Sequence, residues 1–205
     1  MLSEHSLARF LDTLASDAPA PGGGSMAAFS GAAAAGLIEM VAGLTIGKKG
    51  YEAVAEEMAA IKGKAAAARA RLTLLIDEDA AAFDGVMAAF ALPKATEEEK
   101  AARKAAVQTA FIHAARLPME TATLSASLLP LAEACLVRGN NNAESDATVA
   151  VHLIRTAVRG GLANVRINLS SIKDGAVVAD LGAQADLLQS ETERAVAFLL
   201  HRAGL

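Results

Sequence analysis

The sequence predicts an all-α protein, and three features carry that prediction. Alanine supplies 50 of 205 residues, and it costs a helix least because it has no side-chain freedom to lose. Aromatic residues, on which β-sheets draw, make up 3 % of the chain, with one Tyr and no Trp. Apolar positions follow the helical pattern from end to end, and prolines number only 5. A core of Ala and Gly lets backbones approach closely but buries little area per residue. The expectation is therefore a single domain over residues 1–205, a bundle of long antiparallel helices that a second copy completes as a dimer.

Ser3 suits the cap of a first helix whose apolar positions Leu7, Phe10, Leu11 and Leu14 keep the 3.6 period, and the helix stops before Asp17. The following APAPGGGS reads as a stiff extended piece and then a loose one. It opens an Ala/Gly-rich second helix that ends near Gly47-Lys48-Lys49-Gly50. A third, long pattern runs from Tyr51 to about Leu92, with Gly63 and Gly85 as expected bends and Pro93 past its end. Thr96 and Glu99 have capping-box spacing and open a fourth helix, expected to stop at Pro118. The fifth is expected from Pro118 to Arg138, kinked at Pro130 and followed by the loop Gly139 to Asn142. Ser145 or Asp146 suits the N-cap of a sixth helix reaching Leu169, interrupted at Gly160-Gly161. Asp174 begins a last amphipathic helix.

Bulk properties exclude several functions. The net charge is -4 and the 19 Lys and Arg form no dense stripe, which argues against a nucleic-acid partner. Cys135 has no second cysteine to pair with, and His5, His113, His152 and His201 fall in no metal-ligand spacing, so no metal site is expected. The N-terminal MLSEHSLARF carries charge where a signal peptide has its apolar run, which predicts a cytoplasmic location. Met26 to Ile46 is long enough to span a bilayer, with Glu39 its one charge. Its Ala and Gly gain little on transfer to lipid and Glu39 opposes it, so a buried helix and no membrane partner are expected. Ala32, Gly36, Gly43 and Gly47 let helices approach closely, within the chain or across a dimer.

Five places can hold chemistry. Gly22-Gly23-Gly24-Ser25 opens a long helix, where free N–H groups and the helix dipole favour an anion, unless the glycines only turn the chain and Ser25 caps it. Lys48 and Lys49 close the same helix, either as a plain C-terminal cap or as cations available to a ligand. Asp79 shares a helix face with Phe83, Met87 and Phe90, so its carboxylate lies on an apolar stripe, a costly position without a partner or a role. Asp77 and Glu78 point elsewhere and read as surface charges. Asn140, Ser145 and Asp146 sit in a polar loop at a helix start, where they serve either a ligand or the cap. Asn164 and Asn168 lie one turn apart on an apolar helix and must find partners. Asp146 and Asn164 share a face but stand about 27 Å apart along it, so one small ligand cannot touch both from this helix alone.

The segments PGGGS (Pro21 to Ser25), LTIGKKGY (Leu44 to Tyr51), DEDAAAFDGVMAAFALPK (Asp77 to Lys94), EEEKAAR (Glu97 to Arg103) and SDATVAVHL through NVRINL (Ser145 to Leu169) resemble the formimidoyltetrahydrofolate cyclodeaminase / methenyltetrahydrofolate cyclohydrolase family. The resemblance runs from about residue 3 to 200. It implies an all-α cyclodeaminase-like fold, a homodimer with a groove near the subunit contact, and a tetrahydrofolate substrate, with or without a polyglutamate tail, as the one small molecule required. Its layout is similar to the stand-alone cyclohydrolase, with cyclodeaminase the alternative and a non-catalytic folate-binding or scaffold dimer a distant third. The methenyl bridge is a delocalised N–C–N cation, already electrophilic without a metal. The resemblance implies Asp79 as cation stabiliser or general base, Lys48 as proton donor or carboxylate contact, and Asp146 with Ser145 for the pterin or water. It further implies Phe83 as a stacking surface, Gly22, Gly23, Gly24 and Ser25 as contacts for the glutamate tail or ligand backbone, and Asn140 and Asn164 as substrate contacts.

Overall fold

Seven α-helices and three short 3-10 turns make up the computed structural model, which describes residues 1–204, and no strand occurs among the described residues. The helices are α1 (Leu7–Leu14), α2 (Gly23–Thr45), α3 (Ala55–Ala91), α4 (Glu97–Ala126), α5 (Leu129–Arg138), α6 (Glu144–Leu169) and α7 (Gly175–Arg202). α2, α3, α4 and α6 close a ring in which each packs on two neighbours. The neighbours run antiparallel. Gly24, Gly31 and Gly36 of α2 face Asp79, Leu72 and Arg69 of α3 in turn, and on α6 Gly161 meets Ala122 of α4 while Asn168 meets Ala114. Ile38, Leu72, Leu75, Ile154 and Leu162 lie fully buried inside this ring. Cutting any of them to Ala costs about 2–5 kcal/mol.

α2, long and apolar enough to cross a membrane, is here the helix on which α3 and α6 both pack. Its small residues allow that: a Cβ on Gly31 would fall 3.2 Å from Leu72.

Several expected boundaries are corrected. Ser6, not Ser3, caps α1 by accepting the Arg9 N–H at 3.3 Å. Ser3 lies in the 3-10 turn Leu2–Glu4 and donates its hydroxyl to Asp77 at 2.5 Å, and the Leu2 N–H reaches the same carboxylate. Asp77 is thus the anchor of the N-terminal segment rather than a loose surface charge. Glu78 pairs with Arg71, which also holds Glu120 of α4. α3 runs unbroken through Gly63 and Gly85.

Pro118 does not end α4; it lies inside the helix. A proline there lacks the N–H that would serve the carbonyl four residues back. That carbonyl, Ala114 O, accepts instead from Asn168 Nδ2 of α6 at 2.9 Å, so the helix continues without an orphan acceptor. The break comes at Ser127–Leu128, and Pro130 falls in the first turn of α5, where its missing N–H costs nothing. α6 begins at Glu144 behind an Ala143 N-cap, so neither Ser145 nor Asp146 caps it. The reason is the 3-10 turn Asn141–Ala143, which winds directly into the helix. Gly160 and Gly161 do not interrupt α6; they let it lie against α2 and α4, since a Cβ at Gly161 would stand 2.8 Å from Pro118 O.

Candidate active site

Gly22 holds the N-cap position of α2 without a side chain to offer, so the first N–H groups of the helix are open to an external acceptor. For one of them, the Ser25 N–H, the acceptor is Asp79, carried by α3 to the same point. A Cβ on Gly24 would lie 2.1 Å from Asp79 Oδ1, so the carboxylate rests on the bare backbone of α2, where no residue larger than glycine fits. Ser25, buried next to it, donates its hydroxyl to Asp79 Oδ2 at 3.0 Å and its backbone N–H to the same group, and is not a cap. The protein's own carboxylate thus meets this helix N-terminus at Ser25.

Burial pushes the Asp79 pKa above the ordinary carboxylate value, and the two hydrogen bonds from Ser25, which favour the charged form, offset that only in part. A carboxylate raised in this way and facing open space holds a proton more readily than an ordinary one, which suits it to act as a base.

The space it faces is a cleft of about 460 Å³ between α2, α3, α4 and α6. The stripe Asp79, Phe83, Met87 and Phe90 forms one wall, as the helical spacing predicts, and Phe111 of α4 meets Phe90 edge-on at 5.9 Å. The opposite wall carries Asn164 and Asn168. Asn164 Nδ2 donates to Gly160 O, and Asn168 Nδ2 donates to Ala114 O and Asn164 O, each at 2.9 Å. Both amide nitrogens are committed to helix carbonyls, and among the described residues neither side-chain oxygen accepts a bond. Two free acceptors, one carboxylate and an aromatic slot suit a flat, cationic or N–H-rich ring. A Cβ on Gly23 would sit 3.3 Å from Asn164 Nδ2, so the second glycine is also needed for the cleft's shape.

The remaining candidates lie at the far end of α2, about 30 Å away at the helical rise. Lys48 Nζ donates to Asn140 Oδ1 at 2.5 Å and stands 5.7 Å above the Tyr51 ring. Asn140 is buried, its N–H bonded to Thr45 Oγ1 and its Nδ2 to Leu44 O. Ser145 is exposed and Asp146 half-buried in the first turn of α6. Within one chain Lys48, Asn140, Ser145 and Asp146 cannot touch a small ligand that touches Asp79. The sequence reading left out Asn168, Ile167 and Phe111 as site residues. Asn168 carried a signal, an amide one turn from Asn164 on an apolar helix, but its partner carbonyl becomes visible only once Pro118 is seen inside α4.

The formiminotransferase-cyclodeaminase family model matches residues 6–187. The chain is 43 % identical over 176 residues to a methenyltetrahydrofolate cyclohydrolase of Methylorubrum extorquens, covering 86 % of this chain and 85 % of the relative. It is 36 % identical to a formimidoyltransferase-cyclodeaminase of Sus scrofa, covering 96 % of this chain but 36 % of that longer protein. The crystal structure of a formiminotetrahydrofolate cyclodeaminase from Thermotoga maritima superposes with a TM-score of 0.87 at 32 % identity, over 100 % of both chains.

Proposed function

Because the chain belongs to the formiminotransferase-cyclodeaminase family, we propose that it works in tetrahydrofolate one-carbon metabolism and hydrolyses 5,10-methenyltetrahydrofolate to 10-formyltetrahydrofolate. The observation that carries this reading is Asp79, a carboxylate of raised proton affinity at the head of an aromatic cleft. Water adds to the bridging carbon of the N–C–N cation while Asp79 takes its proton. The tetrahedral adduct then breaks its bond to N5, which regains a proton, and the carbonyl forms on N10. The ionised Asp79 also opposes the positive charge of the bound cation, which draws its pKa down again as substrate enters. Phe83 offers its face to the ring, and Asn164 with Asn168 offers acceptors to ring N–H groups.

A homodimer fits the same reading. Ala33, Gly36, Leu37, Met40 and Leu44 form one incompletely covered face of α2, and Val149 stands exposed on α6. A two-fold contact of α2 on α2 near Leu37 to Met40 turns the Lys48 end of one chain toward the Gly23 end of the other. In that arrangement Lys48 supplies the proton to the leaving nitrogen, and Ser145 with Asp146 contacts the pterin. A scattering mass near twice 20.9 kDa is expected in solution, and a mass of one chain contradicts the shared site.

The second reading, loss of ammonia from 5-formiminotetrahydrofolate, is favoured by the full-length match to the Thermotoga maritima cyclodeaminase. Both reactions pass through an adduct at the same carbon, so the same carboxylate serves either. Purified protein is expected to accelerate the loss of methenyl near-ultraviolet absorbance and to act more slowly on the formimino substrate. Acceleration of neither overturns both readings.

A further inference from the structure

We propose that Pro118 is a positioning residue for substrate binding: by depriving Ala114 O of its helical donor, it pins the Asn168 amide nitrogen, so that Asn168 meets the substrate ring only as an acceptor. What the amide does for the ligand rests on the folate reading above. A side-chain amide has a donor end and an acceptor end of nearly the same shape, and half a turn about χ2 exchanges them. Which end the cleft receives at Asn168 is therefore decided by what lies behind it.

Two carbonyls lie behind it. Asn168 Nδ2 donates to Asn164 O and to Ala114 O, each at 2.9 Å, which spends both of its N–H groups. Asn164 O belongs to the same helix and receives the backbone N–H of Asn168 as well, so it can do without the side chain. Ala114 O cannot. Ala114 is buried in α4, and the residue four places on, which would supply the N–H, is Pro118. Turning the amide over would set Oδ1 against two carbonyl oxygens and leave Ala114 O with no donor, the costly state for a buried acceptor.

The surroundings of the same proline bring the two helices close enough. A Cβ on Gly161 would stand 2.8 Å from Pro118 O and 3.2 Å from Ala122 Cβ, so α6 passes α4 backbone to backbone there. Asn168 is two turns beyond Gly161 on α6, and Ala114 is two turns before Ala122 on α4, so the antiparallel pair carries amide and carbonyl into register. Ala114 and Asn168 both line the Asp79 cleft, and Asn168 Oδ1 accepts no bond among the described residues. A proline in mid-helix weakens the helix; this one leaves a carbonyl that the neighbouring helix satisfies, and so fixes which end of Asn168 remains for a ligand.

The test is a double-mutant cycle of Pro118→Ala and Asn168→Leu, read by tetrahydrofolate binding and by melting temperature. Pro118→Ala returns an N–H to Ala114 O and unpins the amide, and is expected to weaken binding about two- to fivefold, with KM for the methenyl substrate rising more than kcat falls. In the Asn168→Leu background the same substitution is expected to leave affinity unchanged. There it also relieves an unpaired carbonyl, so its effect on the melting temperature is more favourable than in the unmodified chain, by about 2–12 °C. Asn168→Asp, which keeps Pro118 and an acceptor, is expected to bind more tightly than Asn168→Leu. A Pro118→Ala protein that binds as tightly as the unmodified one overturns the positioning role, and so does an equal loss of affinity in both backgrounds, the result of a merely structural proline. Equal affinities of the Asp and Leu variants overturn the acceptor role. If the unmodified protein binds no tetrahydrofolate, the folate reading fails, and the melting temperatures still decide whether Pro118 and Asn168 are coupled: equal effects of Pro118→Ala in both backgrounds show that they are not.

Discussion

The two ends of α2 are built from similar materials and serve different purposes. At the C-terminal end Asn140 is tied to Thr45, Leu44 and Lys48, the last of which spends one of its three donors there, and the Asn141 N–H reaches the Tyr51 hydroxyl at 3.1 Å. At the N-terminal end the glycines withhold side chains, Asp79 is raised by burial, and Asn164 and Asn168 line an open cleft with side-chain oxygens that accept no bond among the described residues. A completed polar network holds a loop to a helix; an incomplete one beside a cavity stores the capacity to bind and react.

Substitution at Asp79 separates the two purposes most strongly. Asp79→Asn is expected to lower turnover about 10²- to 10⁴-fold, the usual worth of a positioned base, while raising the melting temperature by about 1–3 °C. The sign of the second effect follows from linkage. A raised pKa means that the folded chain holds a proton the unfolded chain has released, so stability falls as pH rises from the ordinary carboxylate value through the raised one. Asparagine removes that loss. A fall in both activity and melting temperature would make Asp79 a structural residue.

Gly24→Ala comes next. Its Cβ must displace the carboxylate, and a shift of about 1 Å at a reacting group costs about a hundredfold in turnover, with substrate affinity less affected. Asn140→Ala acts on the other end of the helix. It removes a buried side chain bonded to Lys48, Leu44 and Asn142, at an expected cost of about 2–3 kcal/mol and a melting temperature lower by about 4–12 °C. An Asn140→Ala protein of unchanged melting temperature would contradict the structural half of the comparison. The smallest effect is expected from Ser25→Ala. Loss of a bond to the charged form moves the Asp79 midpoint further upward, so the rate falls severalfold below the new midpoint and recovers as pH rises through it.

The fold was legible because composition and period agree along the whole chain, and the seven helices fall where seven patterns occur. Three of the errors share a cause. Pro118, Gly160 and Gly161 are local breakers whose cost is met by residues distant in sequence: Asn168 supplies the bond that Pro118 forfeits, and α2 and α4 use the space the glycines leave. The position of Asp79 on an apolar stripe with Phe83 was readable from spacing alone. Its meeting with Gly24 and Ser25 was not, since that depends on the register of α2 against α3. That Lys48 closes the helix Gly23 opens was readable too, and it sets the two a helix length apart within one chain.

The most direct measurement is the pH dependence of 5,10-methenyltetrahydrofolate hydrolysis, followed by absorbance and corrected for the spontaneous rate, in the unmodified protein and Asp79→Asn. The expected rate rises with pH through a midpoint above the ordinary carboxylate range in the unmodified protein, and is low without that midpoint in the variant. A variant that keeps both the rate and the midpoint would remove Asp79, and with it the Gly24 end of α2, from the chemistry.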